Sequence, residues 1–126
     1  MTQEAVRFLQ NARLLLSHAN IMLSVGLNDD AGRTAYLASF HTAQAFIFER
    51  IGKICKTHKG VQMEFFSLTK DDPQVPANLR FFLSQTYDLK SIADYDTSPC
   101  AGISLERATD AVETARQFVE HITALL

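Results

Sequence analysis

Two groups of residues in this chain have the side chains and the spacing that chemistry needs. Arg33, Tyr36 and His41 fall within one short stretch, and Lys90, Asp94 and Tyr95 fall within another. Histidine titrates near neutral pH and moves protons, while arginine and lysine hold phosphate. If Arg33 and His41 share a helix, eight residue steps separate them by ~12 Å along its axis. They then grip two points of one extended ligand, or meet groups of a second subunit, rather than forming a tight dyad. The alternative for His41 is a core or interface histidine with one satisfied hydrogen bond. Lys90 and Asp94 stand at i and i+4 on one helix face, with Tyr87 a turn earlier. They bind a nucleotide phosphate and orient a water, or they form a surface ion pair worth about 0.2–0.5 kcal/mol. Tyr95 either joins that phosphate site or anchors the following loop.

The rest of the chain narrows the options. Arg50, Lys53, Lys56 and Lys59, with His58, are the one local concentration of basic residues. They serve RNA or an acidic partner, or they complement the dipole of a helix C-terminus. A formal charge of −2 and a pI near 6.0 argue against a protein that coats DNA. Cys55 and Cys100 are the only cysteines, far apart, and read as reduced rather than bridged. Neither has a second ligand at metal spacing, so neither a metal nor another cofactor is expected. Apolar runs fall short of the ~20 residues a membrane span requires. The opening MTQEAVRF lacks the basic start of a secretory leader, so a cytoplasmic location is expected.

Positioning these groups takes helices, and the pattern is helical throughout. A hydrophobic share of 47% over 126 residues suits one domain, 1–126, with one core. Apolar residues from Val6 to Leu23 predict a first helix over 2–25, capped by Thr2, with Leu14, Leu15 and Ile21 widening its buried face. Gly26 stops it. A second helix, capped by Asp29 or Asp30, runs to about Ile54; its small residues, from Ala31 and Gly32 to Ala45, let neighbours approach and make it the central helix. A short helix over 61–69 follows, then a long one over 76–94 opened by Pro76. Tyr95 to Gly102 reads as a loop, and Ser104 caps a last helix whose seam runs from Leu105 through Ala108, Val112, Ala115, Val119 and Ile122 to Leu126. Short connections predict an all-α, antiparallel up-and-down four-helix bundle with one additional short helix. Phe65–Phe66 and Phe81–Phe82 point in two directions each, so one member of a pair is expected at an interface.

Three segments in this order resemble the HEPN (higher eukaryote and prokaryote nucleotide-binding) domain, in its small stand-alone prokaryotic branch. They are Ala35-Tyr36-Leu37-Ala38-Ser39-Phe40-His41-Thr42-Ala43, then Lys56-Thr57-His58-Lys59-Gly60-Val61, then Tyr87 to Asp96 with its Ala93-Asp94-Tyr95-Asp96 run. The resemblance implies a helical bundle that forms homodimers and partners a minimal nucleotidyltransferase in toxin–antitoxin or stress-response modules. It also implies a metal-independent ribonuclease, with His41 moving the proton and Arg33 or Lys90 steadying phosphate. Arg33 and His41 have seven residues between them, a wider spacing than the family's Arg–His motif. Lys90 and Asp94 stand where that motif would otherwise fall. The competing implication is a non-catalytic module that binds a nucleotide or another protein.

Overall fold

The computed structural model describes residues 1–95 and 102–126, with the side chain of Tyr95 excluded. Helix α1 spans Gln3–Ser24, and the Thr2 hydroxyl accepts the Ala5 N–H at 3.2 Å as its cap. Helix α2 spans Asn28–Ile51. Two expectations about α2 are corrected. Its start carries no side-chain cap, because the Asp29 carboxylate instead accepts the Ile103 N–H at 2.7 Å across the bundle. It ends three residues before Ile54 because Gly52 takes a left-handed φ of 67° and returns its N–H to Phe48.

Helix α3 spans His58–Thr69 and begins earlier than the expected Val61. The Thr57 hydroxyl accepts the Gly60 N–H at 3.0 Å, and this cap carries the helix back to include His58. The expected helix over 76–94 is two helices, α4 at Ala77–Arg80 and α5 at Phe82–Tyr95. The interruption falls at Phe81, whose backbone leaves the helical ψ at −1°. Arg80 is held just before it by donating to the carbonyls of Lys70 and Val75. Phe82 therefore turns into the core while Phe81 stays 42% exposed, and Phe65 and Phe66 divide in the same way. Helix α6 spans Leu105–Ala124, with the Ser104 hydroxyl accepting from Arg107. Of the expected loop before it, residues 96–101, including Pro99 and Cys100, lie outside the described residues.

Contacts at the helix ends give the directions. Thr2 bonds Glu49, and Met22 meets Thr34, so α1 and α2 are antiparallel. Arg33 meets Asp94 while Tyr36 meets Tyr87, so α2 and α5 are antiparallel as well. Gly32 lies against Ile103 at one end and Arg50 reaches Leu125 at the other, which makes α2 and α6 the parallel diagonal pair. The result is the all-α up-and-down bundle, with α3 and α4 as short additions. Central α2 is buried almost all round, from Ala31 and Gly32 to Phe46 and Ile47. A Cβ on Gly32 would sit 3.1 Å from the end of the Ile103 side chain, which would have to give by a few tenths of an ångström to admit it. Phe46, Phe65, Phe118 and Phe82 make a chain of edge-on and tilted ring contacts across α2, α3, α6 and α5. Leu14, Ile21 and Leu105, expected on buried faces, are exposed because α1 and α6 cover each other only on their α2 side.

Candidate functional site

Three helices converge where the start of α2, the start of α3 and the end of α5 meet. Arg33, in the second turn of α2, extends its Nε to Asp94 Oδ1 at 2.7 Å. Lys90 reaches the other carboxylate oxygen of the same residue at 2.7 Å, one helical turn back along α5. The trio sets two cations around one carboxylate. Hydrogen bonding from Lys90, and then from Arg33, holds the Asp94 carboxyl below its usual range. The Lys90 side chain is only 12% exposed, so its charge is felt more strongly than that of a surface lysine.

Beside the trio lies an aromatic cage. Tyr36 is fully buried, and its hydroxyl is 2.9 Å from His58 Nδ1. Gln62 Nε2 donates to the same hydroxyl at 3.3 Å. The rings of Tyr87 and Phe40 close around His58 at 5.2 Å and 4.9 Å. Burial pushes the Tyr36 phenol up to about 12, so it keeps its proton. The phenol and the imidazole nitrogen therefore share one hydrogen bond, whose direction is set by the tautomer of the ring. Desolvation, and then the nearby Lys90 charge, lower the His58 pKa. The ring is therefore neutral at pH 7.

Arg33, Tyr36, Lys90 and Asp94, picked out in the sequence for their chemistry, thus come together. His41 stands apart. Its Nδ1 bonds Gln44 Oε1 at 2.7 Å, and Gln44 in turn donates to the Cys55 carbonyl. Its ring stacks on Phe8 and meets the edge of Phe40. Among the basic residues before α3, Arg50 lies over the Phe46 ring and donates to Leu125, while Lys53, Lys56 and Lys59 are exposed. His58 leaves that group and enters the cage. It was not singled out as a site residue, nor were Gln62 and Tyr87. The available signals were the Lys56–Val61 segment, and the row Tyr87, Lys90, Asp94 at three- and four-residue steps. Among the described residues, no three His, Cys, Asp or Glu side chains gather as a metal would require, and no helix is long and apolar enough to cross a membrane.

A family model, the HEPN domain, matches residues 5–125. No curated protein matches the chain. Among solved structures, the crystal structure of TT1696 from Thermus thermophilus is similar with a TM-score of 0.79 and 21% identity, covering 99% of this chain and 100% of that one. At that identity the likeness speaks for the fold alone.

Proposed function

The chain belongs to the HEPN domain family, and from that premise we propose that it binds a nucleotide or RNA phosphate at the α2–α3–α5 cluster without cutting RNA. The observation that carries this reading is the Arg33–Asp94–Lys90 trio. Its two cations are already arranged around carboxylate oxygens, and the same donors suit the oxygens of a phosphodiester. The neutral His58 ring adds an uncharged hydrogen-bonding group beside them. Proton abstraction from a ribose hydroxyl needs a free base, and His58 Nδ1 is engaged with the Tyr36 hydroxyl. His41 bonds Gln44 rather than the trio. The family resemblance supports a homodimer and a minimal nucleotidyltransferase as partner, in a toxin–antitoxin or stress-response module.

A second reading, metal-independent RNA cleavage, draws on the neutrality of His58. In the tautomer with hydrogen on Nδ1, Nε2 would be a base next to two phosphate-holding cations. One experiment separates the two. Mixed RNA is incubated with the protein in chelator, and binding and cleavage are followed together for wild type, His58→Ala, His41→Ala and Lys90→Ala. The binding reading expects intact RNA throughout and a loss of affinity of about 10- to 100-fold for Lys90→Ala, the scale of one hydrogen bond to a charged group. Cleavage that His58→Ala abolishes would replace it with the nuclease.

A further inference from the structure

At the end of the bundle where α2 stops, the surface changes character. Residues 50–59 carry Arg50, Lys53, Lys56 and Lys59 and no carboxylate. The whole chain has a formal charge of −2, so these four cations leave −6 on everything else. Lys53, Lys56 and Lys59 are exposed, and none of them joins an ion pair among the described residues. Glu49, the nearest carboxylate in sequence, is taken up by the N–H and hydroxyl of Thr2. Between the cations stand Ile51 and Ile54, 46% and 47% exposed. The left-handed turn at Gly52 separates them. A Cβ built on that glycine would meet no atom within 4 Å, so the turn projects from the bundle.

The dipole of α2 accounts for Arg50. It sits in the last turn, where a cation complements the macrodipole, and its guanidinium lies over the Phe46 ring and donates to Leu125. Lys56 and Lys59 fall instead at the start of α3, one just before its Thr57 cap and one in its first turn. There the dipole favours acids, and α3 has none in that turn. The lysines and the helix start thus add to one positive field, at a cost to the helix that an outside anion would remove. The isoleucines decide what kind of anion. Nucleic-acid bases stack on aromatic rings, and His58, the one ring in this stretch, is enclosed in the cage. Phosphate by itself gains nothing from two aliphatic side chains. A projecting turn that interleaves such side chains with flexible lysines suits a surface that is anionic outside and apolar beneath.

We infer that residues 50–56 dock on an anionic lipid surface, with Ile51 and Ile54 at the boundary of headgroups and acyl chains and with Arg50, Lys53 and Lys56 among the charged headgroups. Two isoleucines bury too little to hold neutral lipid, and lysines alone are released as salt screens them, so the contact needs both. It is peripheral and reversible. The negative charge on the rest of the chain is repelled by the same surface, which turns this end of the bundle toward it. Eighteen residue steps of α2 separate Ile51 from Arg33, ~27 Å along the axis, so docking leaves the Arg33–Asp94–Lys90 trio open.

Phosphatidylcholine vesicles, with and without phosphatidylserine, are sedimented with the full chain, and the bound fraction is followed as salt is raised. Wild type is expected to sediment only with the vesicles that contain phosphatidylserine, and to be released by salt. Lys53→Gln with Lys56→Gln should weaken that binding about 30-fold, the scale of two lysines at an anionic surface. Ile51→Ser with Ile54→Ser should weaken it about tenfold and lower the salt concentration at which the protein comes off. All four positions are exposed, and circular dichroism checks that the helices remain. If wild type stays in solution with phosphatidylserine present, the inference falls. It falls too if the isoleucine pair changes nothing, because the attraction is then one of charge alone. Binding of a short oligoribonucleotide or of polyglutamate that the lysine pair weakens, while vesicles stay unbound, would give the patch to nucleic acid or to an acidic protein.

Discussion

Two histidines flank Phe40, and their surroundings differ in kind. His41 faces Phe8 on α1 and a neutral amide, Gln44, which passes its own hydrogen bond to a backbone carbonyl. Every polar partner on that side is uncharged and already matched. His58 faces a buried phenol and, next to it, two cations that share one carboxylate. The first is a satisfied packing arrangement on one helix. The second draws its groups from three helices and sets two cations beside the ring. A histidine's identity therefore says little about its role here, and the charge of what it faces says most.

The comparison breaks most severely if the ring between the two sides is removed. Phe40→Ala should cost about 3–5 kcal/mol, read as a fall in the denaturation midpoint, because a nearly buried aromatic in the core is lost. A cost below ~1 kcal/mol would mean that the two sides are not packed through Phe40. Tyr36→Phe is gentler and one-sided. It strips Gln62 and His58 of their shared hydroxyl and should destabilise by about 1–3 kcal/mol while leaving the ring stack of His41 intact, as NMR of the two imidazoles would show.

The smallest effect is the pH dependence of His58. Its pKa is lowered in the folded state, so the unfolded chain takes up the proton first as pH falls below about 6.5. The stability that the neutral ring contributes is complete above that pH, and it is lost as pH drops through the folded value. Denaturation midpoints from pH 8 to pH 5 should decline more for wild type than for His58→Gln. Equal declines would show that burial and Lys90 do not hold the ring neutral.

Much of the bundle could be read from residue spacing, since helical period and caps are local properties. Thr2 and Ser104 cap where expected, and the small residues of α2 do mark the central helix. What went unread depended on neighbours distant in sequence. Asp29 looked like a cap but is committed to Ile103, and the interruption at Phe81 follows from carbonyls that hold Arg80. The site divides in the same way. Lys90 and Asp94 share a turn and could be paired in advance. Tyr36 and His58 lie 22 positions apart, and only the docking of α3 against α2 joins them. His58 also looked like part of a loop until the Thr57 cap brought it into the helix.

The double grip on Asp94 has a further consequence. A carboxylate already fills the space between Arg33 and Lys90, so the chain carries its own competitor, tethered and always present at high effective concentration. An incoming anion must displace or share that carboxylate, which sets a threshold that chloride or a single weakly held carboxylate does not meet. Replacing Asp94 would then be expected to make the cations sticky and indiscriminate rather than inert. The residue that occupies the pair would then also set its selectivity.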